Sequence, residues 1–192
     1  MSAKSSDVKT RTSGADRAGR SALVKVWDPL VRIFHWSLAI LFAAAWYSGG
    51  IWDAPHLVAG YAVFALILVR VVWGFIGSRH ARFSDFVRGP ATTMGYMADM
   101  VRQRAPRYLG HNPAGGAMVV ALLAMILVIC ASGVMMTTDA FWGVEWVDDL
   151  HEMASTIALL LVGLHVGGVI LAGIEHSENL VKAMFTGRKR AE

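Results

Sequence analysis

Residues 148–174 read DDLHEMASTIALLLVGLHVGGVILAGI, and this stretch decides what kind of molecule the chain is. From Met153 to Ile174 it holds no charged residue. A membrane-crossing helix needs roughly 20 predominantly apolar residues. Asp148 and Asp149 open the run, where negative charge suits the positive end of a helix dipole. Two histidines lie within it, His151 and His165, fourteen residues apart. At about 100° and 1.5 Å per residue, fourteen steps return to within about 40° of one face and advance roughly 21 Å. One helix therefore presents two imidazoles on one side, near the two surfaces of a membrane.

Working outward, three more long uncharged stretches appear: Ile33 to Trp52, Ala54 to Val69 extended past Arg70 to Gly77, and Pro113 to Thr138. The chain is 55% hydrophobic over 192 residues, with its charges confined to blocks, which marks a membrane protein. The expected fold is an all-α integral-membrane four-helix bundle with spans at about 29–50, 54–77, 113–137 and 149–175. Of the 18 Lys and Arg, all but Arg70, near the inner end of the second stretch, fall before the first stretch, between the second and third, or after the fourth. The connectors 53–55 and 139–152 carry no Lys or Arg but hold six acids, Asp53, Asp139, Glu145, Asp148, Asp149 and Glu152. The positive-inside rule then puts both termini and the middle loop in the cytoplasm. The net charge of +4 is read as topology and contact with anionic lipid, not as nucleic-acid binding.

Residues 1–22 are polar and lack apolar periodicity, so a disordered cytoplasmic tail is expected there, followed by one domain over residues 23–188. Asp28-Pro29 suits the start of the first helix, and Asp53-Ala54-Pro55 suits the second. Trp46, Tyr47 and Trp52 read as an outer aromatic belt, with Trp73 and Phe75 as an inner one. Met94, Met97, Met100 and Val101 recur at helical spacing in the basic loop, which predicts a short helix lying on the membrane surface. Cys130 is the only cysteine, so no disulfide and no iron–sulfur cluster forms within the chain, and packing is its expected role. His80, His111 and His176 are expected to be solvated or interfacial, and Met135-Met136 to pack.

Two further histidines, His35 and His56, complete a pattern. Alternating helix directions put His35 at the level of His165 and His56 at the level of His151. Ionisable groups inside a membrane are costly and mark function. A zinc site needs its ligands at one level. A proton relay needs acids between the levels, and the span interiors have none. Two levels of paired imidazoles suit axial ligation of two stacked haems, with no iron position left open for oxygen chemistry. Gly60, four residues after His56, and Gly163, Gly167 and Gly168 around His165 leave room for a flat macrocycle. Arg32 and Arg70 lie near the inner level, where they would meet haem propionates or snorkel to the interface.

The stretches Val26 to Trp36, His56 to Tyr61, Arg70 to Phe83 and Asp149 to Glu152, with His165, resemble the bacterial cytochrome b561 family, related to the b-type cytochrome subunits of nickel–iron hydrogenases. The resemblance covers about residues 23–188. It implies a multi-pass protein of the bacterial inner membrane with two haem b groups, one on His35 and His165 and one on His56 and His151. It also implies electron exchange between the quinone/quinol pool and a redox partner, a cytochrome c or a dehydrogenase. The chain looks short for a hydrogenase subunit at its C-terminus. Two other readings stand beside this one: a self-contained superoxide:quinone oxidoreductase, and a non-redox membrane anchor subunit, which predicts no haem. No inverted repeat supports a transporter and no glycine-rich phosphate loop supports nucleotide binding. Lipid-facing small residues permit a homodimer.

Overall fold

The computed structural model describes residues 22–191. Apart from Ala22, the expected tail lies outside the described residues. A strand β1 (Leu23–Lys25) leads into α1 (Pro29–Ser48) and α2 (Asp53–Ile76). A 3-10 turn (Arg79–Ala81), α3 (Phe83–Phe86) and α4 (Pro90–Val101) fill the middle loop. Then come α5 (Pro113–Met136), α6 (Glu145–Glu175), α7 (Leu180–Thr186) and β2 (Arg188–Arg190). Four helices, α1, α2, α5 and α6, are long and apolar enough to cross a membrane. The longest, α6, has 31 residues, about 46 Å of helix, so it outruns a hydrocarbon core of roughly 30 Å.

Helix ends follow their local chemistry. The Asp28 carboxylate accepts the Val31 N–H at 2.8 Å, and Pro29 occupies the first turn of α1. Asn112 caps α5 in the same way, accepting Gly115 N–H at 2.6 Å. Asp53 differs from expectation: Trp52 takes the cap position with no side-chain bond, and Asp53 is the first helical residue, placed to complement the dipole instead. The fourth span opens a turn earlier than residue 149, because Glu145 and Asp148 both sit in the first turn of the helix.

α1 packs on α2, α5 on α6, and α2 on α5. The central core is Phe34, Val63, Ile67, Leu123, Ile126 and Cys130, which gives Cys130 its packing role. The outward faces stay apolar; Ile33, Ile40, Leu160 and Leu164 are each about two-thirds exposed, as side chains facing lipid should be. α4 forms as its periodicity predicts, with Met94, Met97 and Val101 exposed on one face and Tyr96 buried on the other.

The all-α expectation needs one correction. β1 and β2 pair antiparallel, with Leu23 opposite Arg190 and Lys25 opposite Arg188. The join continues where Gly187 O accepts the N–H groups of Val26 and Trp27 at 2.9 and 3.1 Å. Gly187 has φ +77°, a left-handed turn that favours glycine. Three-residue strands leave no periodic signal; the pairing arises because the helices bring the two ends of the chain together.

The end of the bundle holding β1, the middle loop and β2 carries the basic residues and is closed by a compact cap. Asp28, besides capping α1, accepts Trp73 Nε1–H at 3.1 Å and the Ser78 hydroxyl. Trp73 is thus a joint between α1 and α2. Gly74 lies where any side chain would run into the Phe83 ring. Glu178 binds Arg107 at 3.0 Å and Lys189 at 3.2 Å, tying the middle loop to β2. Burial alone would raise the Glu178 carboxyl, but bonds to Arg107 and Lys189 hold it below its usual value.

Candidate functional site

The four histidines fall into two pairs at opposite ends of the bundle. His35 of α1 faces His165 of α6 with ring centres 6.3 Å apart, at the basic end. His56 of α2 faces His151 of α6 with ring centres 6.0 Å apart, at the acidic end. The local sequence explains each placement. Asp28-Pro29 starts α1 so that His35 falls in its second turn, and α2 begins at Asp53 so that His56 falls in its first. His151 and His165 share the unbroken helix α6.

The acidic-end pair is oriented by hydrogen bonds. His56 Nδ1 lies 2.9 Å from Ala45 O, and His151 Nδ1 lies 3.0 Å from Ile129 O and 3.1 Å from Ser132 Oγ. A carbonyl only accepts, so Nδ1 carries the proton in both rings. Each ring then keeps the Nε2 lone pair free, the form in which imidazole binds a metal. Gly133 lets the His151 ring lie close, since a Cβ there would stand 3.2 Å from His151 Cε1. The basic-end pair is held by packing: Trp36 meets the His35 ring edge-on at 5.1 Å, and His35 Nδ1 is enclosed without a hydrogen-bond partner.

Two imidazoles on opposite sides of one metal ion, bonded at about 2 Å with about 1.2 Å more to each ring centre, stand roughly 6.4 Å apart between centres. Both pairs match that spacing. Among the described residues no three His, Cys, Asp or Glu side chains cluster as a metal site, so neither pair has a third ligand of those types. An ion held by two trans imidazoles has its remaining positions in a plane between the rings, where a macrocycle's four nitrogens fit. Space is open beside Gly60, Gly163, Gly167 and Gly168, where an added Cβ would meet nothing within 4 Å.

Arg70 is 3% exposed, so it does not snorkel. Its Nη2 donates to Ala81 O at 3.1 Å, its guanidinium lies over Phe83 at 5.2 Å, and Nη1 is enclosed without a partner. Arg32 donates through Nη2 to Phe185 O, and its Nε is likewise enclosed and unpartnered.

His111, expected to be solvated or interfacial, is half-buried and packed between aromatic rings. Trp27 and Phe86 close on it, with ring centres 4.7 and 4.6 Å away, and its Nδ1 has no partner. Burial, with the charges of Arg70, His165, Lys189 and His80 adding to it, pushes its pKa down to about 3. His80 pairs with Asp85 at 3.0 Å.

The orienting groups Ala45 O and Ile129 O escape sequence reading, because a backbone carbonyl acceptor has no residue signature. Ser132 and Gly133 do leave a trace, as a polar and a small residue within an apolar run.

The sequence profile of a family described as prokaryotic cytochrome b561 matches residues 26–187. Three curated relatives are each called a probable Ni/Fe-hydrogenase B-type cytochrome subunit. That of Azotobacter vinelandii is 20% identical, covering 91% of each chain. That of Rhizobium leguminosarum bv. viciae is 21% identical, covering 93% of this chain and 95% of its own. That of Azotobacter chroococcum mcd 1 is 24% identical, covering 91% of each. The alignment with the first spans 221 positions against 192 residues here, so that relative carries insertions this chain lacks. No solved structure matches the chain significantly. Four membrane-length helices and a profile match from Val26 to Gly187 make this a multi-pass membrane protein that belongs to the prokaryotic cytochrome b561 family.

Proposed function

We propose that this chain conducts electrons across the membrane through two haem b groups, one held by His35 and His165 and the other by His56 and His151. The observation that carries the reading is the pair of ring-centre distances, 6.3 and 6.0 Å, each matching two trans imidazoles on one iron. Haem b so ligated supplies one-electron redox chemistry with no open iron position. Ala45 and Ile129 orient the acidic-end imidazoles through their Nδ1 protons, which keeps those rings from turning between redox states. Phe34, Ile67 and Ile126 pack the bundle's core with apolar side chains. By the positive-inside rule the basic end faces the cytoplasm, so the two sites serve opposite faces of the inner membrane. The quinone/quinol pool exchanges electrons at one face and a redox protein docks at the other. The relatives' names put a hydrogenase first among partner classes.

The test is a reduced-minus-oxidised spectrum of the purified protein with a pyridine haemochrome count, repeated for His165→Ala and His56→Ala. Two haems per chain, falling to one in each variant, support the reading. No haem, or a count indifferent to both substitutions, overturns it.

A further inference from the structure

Three enclosed nitrogens without partners share the basic end of the bundle: Arg32 Nε, Arg70 Nη1 and His111 Nδ1. Leaving a buried donor unpaired costs about 1–3 kcal/mol, more when it is charged. Each side chain is fixed, so none turns away to find water. Arg70 is pinned by Ala81 O and Phe83, and Arg32 by Phe185 O. His111 is clamped between Trp27 and Phe86. The clamps are continuous, because Phe86 meets Phe83, and Phe83 carries the Arg70 guanidinium. His111 is also close enough to Arg70 and His165 for their charges to act on it. These unpartnered groups lie at the end of the bundle that holds His35 and His165, and an anionic oxygen acceptor there would satisfy them. Two arginines supply positive charge, and a neutral imidazole adds one N–H without another charge to bury.

We propose that His111 is a positioning residue that donates a hydrogen bond to a carboxylate of the haem held by His35 and His165, completing with Arg70 and Arg32 a propionate-binding cleft. The proposal rests on the haem reading above. His111 would then do two things. It would fix the macrocycle's rotation about the iron axis, and it would draw electron density from the carboxylate, favouring the reduced state of the basic-end haem.

The experiment is a redox titration of the purified haem-loaded protein, with resonance Raman spectra in the propionate-bending region, for the native chain, His111→Phe and His111→Gln. The basic-end haem is identified as the one lost in His165→Ala. Phe keeps the packing against Trp27 and Phe86 and removes the donor; Gln keeps an N–H. The expected result is two haems in each. In His111→Phe the basic-end midpoint falls by up to about tenfold in equilibrium constant, 59 mV for one electron. The acidic-end midpoint stays in place, the propionate band moves, and Gln restores most of both changes. If the Phe variant does not accumulate, His111→Leu, which likewise has no N–H, takes its place in the comparison. Haems present with an unmoved basic-end midpoint and propionate band, or with both midpoints shifting together, overturn this proposal and leave the haem reading standing. Absence of haem from the native protein overturns the haem reading itself.

Discussion

Replacing Asp28 with alanine should loosen the basic end of the bundle. Its carboxylate serves three donors: the Val31 N–H, the Trp73 indole N–H and the Ser78 hydroxyl. Loss of a helix N-cap costs about 1 kcal/mol. Each side-chain hydrogen bond adds roughly 1 kcal/mol. Were the three to add, the loss is about 3 kcal/mol, and at this chain length each kcal/mol lowers the melting midpoint by about 2–4 °C, giving about 6–12 °C in all. Asp28→Asn should recover a substantial part, since asparagine caps well but lacks the charge that strengthens the other two bonds. The assay is thermal unfolding in detergent, followed by loss of monodisperse protein, with haem absorbance as a second probe. The carboxyl's pKa gives an independent check. Burial raises it, but the bonds from Ser78, Val31 and Trp73 leave it below its usual value. The stabilisation is therefore complete above about pH 3.8, its unperturbed value, and is lost as pH falls through the lower folded value. A melting midpoint for Asp28→Ala within 2 °C of the native chain would refute the three-way joint. So would an asparagine variant no better than alanine.

Further expectations concern the histidine pairs and the packing around them. Two unit charges about 21 Å apart at an effective dielectric of about 20 interact by about 0.8 kcal/mol, so removing one haem through His165→Ala should shift the other's midpoint by no more than about 35 mV in a redox titration. Ser132→Ala removes one of two acceptors for the His151 Nδ1 proton, makes that imidazole a weaker donor to iron and should raise the acidic-end midpoint by less than 59 mV; a fall would contradict the assigned tautomer. Gly74→Ala forces a methyl against the Phe83 ring and should cost about 1–3 kcal/mol in thermal stability, with Phe83→Leu in the same chain recovering part of it; an unchanged melting curve would show that the ring moves freely.

The spans and the histidine pairing were legible because both follow from periods. Long uncharged runs bound the helices, and fourteen residues between His151 and His165 fix their shared face and separation. What escaped depends on distant parts of the chain meeting. His111 sits in a polar loop beside Gly110 and Asn112, and only the arrival of Trp27 and Phe86 encloses it. The role of Trp73 in joining α1 to α2 depends on Asp28, 45 positions earlier, accepting its N–H. The stretches that carry the family resemblance are thus explained in part by contact with one another. Val26 to Trp36 and Arg70 to Phe83 meet at Asp28, Trp73 and Ser78 to close one end of the bundle.

The paired strands have a bearing on how the molecule is made. Among the described elements β1 comes before the four membrane helices and β2 after them, so the clasp joining Leu23 to Arg190 closes only once all four have been made. At the basic end α1 and α6, whose backbones approach little along their lengths, are linked through this clasp and through Phe185, which accepts from Arg32 and stacks on Trp36. The seam between them is the side on which His35 and His165 face each other. The joining of α1 to that end of α6 is therefore completed late, when the segment from Phe185 to Arg190 folds back onto α1 and β1.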